Sequence, residues 1–350
     1  MKTKSIVMRG LAALVLAGCF IGPAAASAYD GLYVFGDSLS DVGNLYAQYG
    51  QPVSPPYSEG RFSNGNLWIQ DVAASLGLGP VTPSYLGGND FAYGGAQTGA
   101  TDANQYNNTP ASMFQQGLDL PSQLKQFNAA VTTPQANALY TLWIGSNDLD
   151  ALLAEVAANT LPASDIPTDI DQIIGNIATF VTGLANDGMK NLLALDVTDL
   201  SKTPESIAAA AKTPDPAATL AGIQSVVATF DTGLSTELAT LAQADQFSLT
   251  YVDTFAPIDS IVADPTAYGL SNVTSPCLTV ASSKSPETVC SDPNQYLFWD
   301  GLHPTAAGHQ LVADVVLEQV PEPGSIGLLA IGVTGLLLIR RRRAGRSLPL

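Results

Sequence analysis

The 350-residue chain is rich in apolar residues and carries a strong excess of acidic ones, and these two properties restrict its class. Hydrophobic residues make up 46% of the chain and charged residues 13%, a composition typical of a folded domain and not of a disordered one. Between residues 29 and 319, 6 Lys or Arg stand against 30 Asp or Glu, which leaves a formal charge of −24. Because binding to nucleic acid depends on a basic face that neutralises phosphates, no nucleic-acid partner is expected.

The N-terminus has the order of a secretory signal peptide. Three basic residues precede an apolar run over 11–21, and small residues follow at 26–28. Cleavage is therefore expected to remove residues 1–28. The same segment contains Leu-Ala-Gly-Cys at 16–19, which is similar to a bacterial lipobox and would instead make Cys19 a lipidated first residue. Soluble-type cleavage is preferred, because such short matches arise easily in signals rich in Leu and Ala.

Short apolar runs bounded by turn residues predict the strands of the body, and helical patterns fall between them. The predicted strands are Gly31–Gly36, Phe91–Tyr93, Leu139–Ile144, Asn191–Val197 and Phe247–Val252. A one-sided apolar stripe that begins at Ile166 and ends before Asp187 predicts the clearest helix. This alternation favours an α/β fold with a parallel sheet covered on both faces, and a reactive site beyond the carboxyl ends of the strands.

The first predicted strand leads directly into Gly36-Asp37-Ser38, and Ser38 is a candidate nucleophile. A serine at a strand-to-helix turn exposes its hydroxyl at the edge of the sheet, close to a helix N-terminus whose dipole favours developing negative charge. Taken alone, a serine in this place is more often a helix cap. The catalytic interpretation therefore requires a base and oxyanion donors at the same edge of the sheet.

The body contains two histidines, so a serine hydrolase built on this chain must use His303 or His309 as its base. Asp300 precedes His303 by three residues, and Pro304 is expected at the first position of the following helix. This spacing lets Asp300 accept a hydrogen bond from the imidazole Nδ1–H while Nε2 faces the serine. His309 falls inside the helix, where a packing or surface role is preferred.

Two loops offer hydrogen-bond donors for the oxyanion that develops during acyl transfer. Gly94 and Gly95 follow the second predicted strand, and Asn147 follows the third. Glycine pairs and asparagines at strand ends are often turn formers and nothing more. Both loops, however, would open at the same edge of the sheet as Ser38, and this joint position favours the catalytic interpretation.

Five segments in order resemble the sequence blocks of the GDSL, or SGNH, hydrolase family, in particular its secreted esterases and lipases. These segments are Phe35–Asn44, Gly60–Gly65, Asn89–Ala96, Gly145–Asp148 and Asp300–Pro304. They span nearly the whole body. The resemblance implies a flavodoxin-like three-layer α/β/α sandwich with about five parallel strands.

Carried over position by position, the resemblance implies a role for each reactive residue. Ser38 would be the nucleophile and would also give its backbone N–H to the oxyanion hole. Gly95 would provide a second backbone donor, and Asn147 a side-chain amide. His303 would be the base, and Asp300 would orient it.

Two segments depart from the family pattern. In the third block Asp90 separates the asparagine from the aromatic residue, so the choice of Gly95 over Gly94 depends on counting from Asp90. In the fourth block Leu195–Leu200 replaces a segment that is richer in Pro and Gly in the family. The contacts to substrate expected from that block are therefore open.

Cys277 and Cys290 are the cysteines that remain once the signal peptide is removed. They lie in a loop rich in Ser, Pro and Thr shortly before Asp300, and export places them in an oxidising environment, so a disulfide between them is predicted. The bond is also expected to steady the approach to Asp300 and His303. No His or Cys cluster has the spacing of a metal site, and no metal or other cofactor is predicted.

The C-terminus carries Pro-Glu-Pro at 321–323, an uncharged and mostly apolar segment at 324–339, and four arginines. An arginine cluster anchors the cytoplasmic side of a membrane segment and disfavours a buried helix. The arrangement resembles the PEP-CTERM sorting signal of exopolysaccharide-producing Gram-negative bacteria. This implies export, transient membrane anchoring through 324–339, removal of the tail by an exosortase, and residence in the periplasm, at the outer surface or in the extracellular matrix.

The expected organisation is a signal peptide over 1–28, a hydrolase domain over 29–319 and a sorting tail over 320–350. Two functions from different classes fit it. The first is an exported serine ester hydrolase that acts through an acyl-enzyme on a lipid ester, a short acyl ester or an acetylated sugar. The second is a non-catalytic surface or matrix-associated binding protein on the same scaffold. The presence of all five reactive positions favours the first.

Overall fold

The computed structural model describes residues 29–99, 118–135, 137–279 and 287–320. The predicted signal peptide with Cys19, and the predicted tail with its apolar segment 324–339, lie outside these ranges. Along the described part of the chain, no helix combines the length and the apolar character needed to cross a bilayer.

Four parallel strands form the central sheet, in the order β1-β2-β3-β4. They are β1 Gly31–Gly36, β2 Ala138–Trp143, β3 Asn191–Leu195 and β4 Ser248–Val252. Each lies within one or two residues of a predicted strand. Gly36, Trp143, Leu195 and Val252 are paired in one continuous row across the sheet. The loops that follow the four strands therefore leave from the same edge.

The remaining predicted strand, Phe91–Tyr93, is an extended segment and not a regular strand. It runs beside β1, where Phe91 N–H donates to Val34 O at 2.7 Å. Tyr93 N–H also donates to β1, at Gly36 O and 3.2 Å, whereas the intervening Ala92 N–H donates to the Asp90 carboxylate at 2.9 Å. With this segment on the outer side of β1, the order along the sheet is that of a flavodoxin-like fold.

Helices connect the strands and pack on both sides of the sheet. Those of the described residues are α1 Asn44–Tyr49, α2 Trp68–Leu76, α3 Leu120–Ala130, α4 Ser146–Ala157, α5 Ile166–Asn186, α6 Pro204–Ala210, α7 Pro216–Ala244, α8 Phe255–Ala263 and α9 Ala306–Gln319. The helix predicted from the apolar stripe at Ile166 is confirmed as α5. A separate antiparallel hairpin is formed by β5 Leu278–Thr279 and β6 Thr288–Val289.

Side chains of the strands alternate between two hydrophobic clusters, one on each face of the sheet. In β1, Leu32 and Val34 belong to one cluster and Phe35 to the other. Helices α2 and α9 cover the first face, and α3, α4, α5 and α7 cover the second. The sequence prediction of a three-layer α/β/α arrangement is thereby confirmed.

Candidate active site

Ser38 lies in the turn that follows β1, and the turn begins with an obligatory glycine. Gly36 has a φ of +146°, and a Cβ at this position would collide with the carbonyl oxygen of Trp143 on the neighbouring strand. After the turn the chain forms no helix until α1 begins at Asn44. Ser38 therefore occupies a turn. The helix N-terminus expected close to it is the start of α1 at Asn44, where the Asp41 carboxylate accepts from the backbone N–H groups of Gly43 and Asn44.

The structure brings Ser38, His303 and Asp300 together. Ser38 Oγ lies 2.8 Å from His303 Nε2, although the two residues are 265 positions apart. On the other side of the ring, His303 Nδ1 lies 2.8 Å from Asp300 Oδ2 and 3.0 Å from Asp300 Oδ1. The three side chains thus form one continuous chain of contacts from a carboxylate through an imidazole to a hydroxyl.

A tight turn holds Asp300 against the imidazole. The backbone N–H groups of Leu302 and His303 both donate to Asp300 Oδ1, at 2.9 and 2.7 Å. The expected helix start at Pro304 is wrong, because α9 begins at Ala306 and the Thr305 hydroxyl caps it by accepting from Gly308 N–H. The Asp300–His303 turn is consequently separate from the helix that follows it.

The charges of this pair stabilise each other. Burial alone would raise the pKa of Asp300, but the His303 charge and the hydrogen bonds to the carboxylate lower it to about 2. Burial alone would lower the pKa of His303, but the Asp300 carboxylate outweighs it and raises the pKa above its ordinary value. Asp300 is therefore ionised over the whole physiological range and favours a proton on the imidazole.

Two aromatic residues of the loop after α1 complete the surroundings of the pair. The Tyr57 hydroxyl donates to Asp300 Oδ2 at 2.7 Å, and the Phe62 ring lies 5.0 Å from the His303 ring, between centroids. The sequence pattern did not identify either residue. In the sequence, Phe62 lies inside the family-like block Gly60–Gly65 and Tyr57 shortly before it, and this was the one feature that could have pointed to them.

Gly95 and Asn147 lie at the same cleft as Ser38 and His303. Asn147 Nδ2 donates to Ala96 O at 2.9 Å, and this bond fixes the orientation of the amide beside the glycine loop. In the same loop, Gly94 N–H is held by the Asp41 carboxylate at 2.8 Å. The Asn147 amide is thus bound to the same short loop that contains Gly95, and that loop is itself held by Asp41.

Two buried carboxylates connect the turn of Ser38 to the loop of Gly95. Asp41 Oδ2 accepts from Leu45 N–H and Gly94 N–H, and Asp90 Oδ2 accepts from Val42 N–H at 2.8 Å. Burial raises the pKa of Asp41 to about 6 and that of Asp90 well above its ordinary value. These backbone contacts set the spacing between the two parts of the site.

The second histidine packs inside α9. His309 is fully buried, and within the described residues neither ring nitrogen has a hydrogen-bond partner. Burial lowers its pKa to about 3. A packing position, the alternative preferred from the sequence, is what the structure shows.

Residues 32–316 match the family described as GDSL-like Lipase/Acylhydrolase, over the same span that contains the Ser38, His303 and Asp300 contacts. The chain belongs to this family. Residues 319–343 match the PEP-CTERM protein-sorting motif, which indicates export from a Gram-negative bacterium to its surface or surroundings.

Relatives of this GDSL protein include the thermolabile hemolysin of Vibrio parahaemolyticus, which is 26% identical over 81% of this chain and 62% of the hemolysin. The chain thus spans less than two thirds of the hemolysin's length. A GDSL esterase/lipase of Arabidopsis thaliana is 25% identical over 84% of this chain and 90% of its own length. An extracellular lipase from Streptomyces rimosus has a TM-score of 0.42 at 17% identity, covering 83% of this chain and all of the lipase.

Ser38 and His303 of this GDSL protein line a large cleft of about 1260 Å³. Helices α4 and α7 line one wall, and their apolar side chains include Leu153, Val156, Ile223 and Val226. The loop after α1 also lines the cleft, with Val53, Pro56, Tyr57 and Phe62. A cleft of this volume with such an apolar lining suits the hydrocarbon part of a ligand better than a polar group.

Three acidic residues interrupt the apolar lining, namely Asp150, Glu205 and Glu287. Burial, together with the charge of Glu205, raises the pKa of Asp150 to about 7. Beside Ser38, burial raises the pKa of Asp37 to about 7 as well, although its Oδ1 accepts from Leu39 N–H at 3.0 Å. The cleft therefore repels negatively charged ligands when these groups are ionised.

The predicted disulfide is confirmed, and the hairpin that contains it contacts the catalytic segment. Cys277 is bonded to Cys290. Cys277 N–H donates to Phe298 O at 3.0 Å, and Trp299 N–H donates in turn to His303 O at 2.7 Å. The disulfide hairpin, β5 to β6, thus contacts the residues directly before Asp300, and Trp299 connects them to His303.

Proposed function

We propose that this protein hydrolyses carboxylic esters through an acyl-enzyme on Ser38. The observation that supports the proposal is the 2.8 Å contact between Ser38 Oγ and His303 Nε2, with Asp300 bound to the other ring nitrogen. A carboxylate that accepts from Nδ1–H leaves the Nε2 lone pair directed at the hydroxyl. This is the tautomer that a general base requires.

In the acylation step, His303 Nε2 removes the proton of Ser38 as Oγ forms a bond to the ester carbonyl carbon. The negative charge on the carbonyl oxygen is stabilised by backbone N–H groups of Ser38 and Gly95 and by the Asn147 amide. The imidazolium then gives its proton to the departing alcohol as the ester C–O bond breaks. Asp300 stays ionised throughout and stabilises the imidazolium.

In the deacylation step, a water molecule takes the place of the alcohol. His303 removes one of its protons as the water oxygen attacks the acyl carbon, and the same oxyanion donors act again. The proton returns to Ser38 Oγ as the acid leaves. No cofactor is needed for either step.

The cleft supports an ester with an extended acyl chain over an acetylated sugar. Its volume of about 1260 Å³ is larger than an acetyl group fills. The apolar side chains of α4 and α7 that line it suit a hydrocarbon chain. Acidic side chains near the nucleophile make an anionic ester a poor ligand. An uncharged or zwitterionic lipid ester fits these features best.

We further propose that residues 1–28 are removed on export, that segment 324–339 holds the protein transiently in the membrane, and that an exosortase then releases the hydrolase body over residues 29–319. The match of 319–343 to the sorting motif supports this order. The intact mass of the exported protein tests it, because a mass that includes the tail would contradict release.

Hydrolysis of p-nitrophenyl esters from acetate to decanoate tests the catalytic proposal. Ser38→Ala is expected to lower kcat/KM by at least about 1000-fold, as for other serine nucleophiles. Ser164→Ala, at an exposed serine before α5, is the matched control and should keep the wild-type rate. Equal rates for wild type and Ser38→Ala would leave the non-catalytic binding function. A preference for acetate over decanoate would contradict the long-chain substrate alone.

A further inference from the structure

We propose that Tyr57 is a positioning residue of the catalytic site, whose hydroxyl fixes the Asp300 carboxylate that orients His303. The inference rests on the proposed ester hydrolysis for its kinetic consequence, but not for its structural one. Tyr57 OH lies 2.7 Å from Asp300 Oδ2, and the same oxygen lies 2.8 Å from His303 Nδ1. One carboxylate oxygen is therefore shared between the phenol and the imidazole.

The two oxygens of Asp300 are held in different ways. Oδ1 accepts from two backbone N–H groups of its own turn, those of Leu302 and His303, and also lies 3.0 Å from His303 Nδ1. Oδ2 is bound by the imidazole and by Tyr57. Without the phenol, the carboxylate can rotate about Oδ1 with the imidazole as the remaining partner of Oδ2. Tyr57 thus restricts the rotation that would change the direction of the His303 ring.

The loop that contains Tyr57 contacts the catalytic segment at three successive points. Tyr57 binds Asp300, the Ser63 hydroxyl donates to Pro304 O at 2.9 Å, and the Asn64 amide oxygen accepts from Ala306 N–H at 2.7 Å. The loop closes on itself as well, where Ser58 N–H donates to Ser63 O at 2.9 Å. These hydrogen bonds hold the loop against residues 300–306, and they hold the phenol of Tyr57 beside Asp300.

Packing contacts also hold the ring of Tyr57 in place. It packs against the cluster formed by Cys277, Leu278 and Trp299 at the disulfide hairpin. Its centroid lies 6.1 Å from that of Phe62 in an edge-on arrangement, and Phe62 contacts His303. Because the ring is fixed on two sides, the direction of its O–H bond is determined by packing.

The charges around the pair keep the phenol a donor. Burial, followed by the charges of Asp300 and Glu287, raises the pKa of Tyr57. The phenol therefore remains protonated throughout the neutral pH range. Around His303 itself, Asp300, Asp37 and Glu205 favour the charged ring. Two further groups feel its charge, Asp150 and His309.

Tyr57→Phe tests the inference, because it keeps the ring and removes only the hydroxyl. Loss of a hydrogen bond to a charged group is expected to lower kcat by roughly 10-fold to 100-fold while KM changes little. Asp300 becomes more basic without the phenol and binds the imidazolium more tightly. The acid limb of the kcat/KM profile is therefore expected to move to higher pH.

Two controls separate positioning from a loss of fold. Tyr85→Phe removes the hydroxyl of an exposed tyrosine and should leave both kcat and the pH profile unchanged. Ser63→Ala removes a different hydrogen bond of the same loop, the one to Pro304 O, and leaves the contacts of Asp300 unchanged. It should lower the melting temperature and leave the acid limb in place. An equal shift of the limb in Ser63→Ala and Tyr57→Phe would overturn the inference.

A measurement without turnover makes the inference independent of the proposed activity. The chain has two histidines, and burial lowers the pKa of His309 to about 3 whereas Asp300 raises that of His303, so NMR titration is expected to distinguish the two rings. Tyr57→Phe is expected to raise the pKa of His303 relative to wild type. An unchanged His303 titration, or unchanged kcat with an unchanged acid limb, would show that Tyr57 does not position Asp300. Inactivity of the wild type would contradict ester hydrolysis but would leave this titration as the decisive result.

Discussion

Replacing Cys277 and Cys290 together by serine is expected to destabilise the protein by about 3 kcal/mol. The bond closes a loop with a sequence separation of 13, and the loss of unfolded-state entropy for a loop of this length is worth about 3 kcal/mol at 25 °C. A body of about 290 residues unfolds with an entropy of roughly 600 cal/mol/K, so the melting temperature is expected to fall by about 5 °C.

Calorimetry of the double variant measures this change beside the wild type, with and without reductant. Once the signal peptide is removed, the disulfide contains every cysteine of the chain, so the reductant acts on this bond alone. Ester hydrolysis is expected to fall as well, because the hairpin N–H groups hold the carbonyls of Phe298 and Trp299 directly before Asp300. Reduced wild type should resemble the double variant in both measurements.

An unchanged melting temperature in the double variant would refute the entropy reasoning. A lowered melting temperature with wild-type kcat at 25 °C would show that the hairpin stabilises the fold without supporting the site. Different behaviour of reduced wild type and of the serine variant would point to the new hydroxyls, and not to the lost bond, as the cause.

Two predictions concern pH. The kcat/KM of the wild type is expected to fall on the acid side with a midpoint above about pH 6.5, the ordinary pKa of histidine. The reason is that Asp300 raises the pKa of His303. A midpoint below that value would contradict the pairing of Asp300 with His303. Thermal stability is expected to be highest near pH 4 to 5 and to fall towards pH 8, by roughly 1 kcal/mol or more. Burial raises the pKa of Asp231 to about 8 and that of Asp196 to about 7. The folded state therefore keeps protons that the unfolded state releases above its pKa of about 4, and stability is lost as pH rises through 7 to 8. Asp231→Asn should reduce this loss, whereas Asn at the exposed Asp171 should not; the same pH dependence in both variants would disprove the assignment to Asp231.

The sheet and the neighbourhood of Ser38 and His303 could be predicted because local patterns determine them. Apolar runs with turn residues mark the strands, and parallel strands bring their carboxyl ends to one edge. Residues placed just after those ends, such as Ser38 and Asn147, are then neighbours without any knowledge of side-chain packing. The chain also offers so few histidines that the choice of base was narrow.

Other features depend on contacts that no local pattern contains. Tyr57 binds a carboxylate 243 positions away, so its importance follows from how two loops meet. Pro304 could not start α9, because the Thr305 hydroxyl caps the helix and the Pro304 carbonyl accepts from Ser63. The apolar run at Phe91 looked like a strand, but it pairs with β1 through an isolated bridge between Val34 and Asp90 and not through a regular ladder.

The order of the catalytic residues along the chain has a consequence for when the enzyme can act. Ser38, the proposed nucleophile, is synthesised first, and His303, its proposed base, follows 265 residues later. Both histidines of the chain lie beyond Asp300. A nascent or clipped polypeptide that stops before that point has no imidazole at all, so it lacks the base proposed for Ser38.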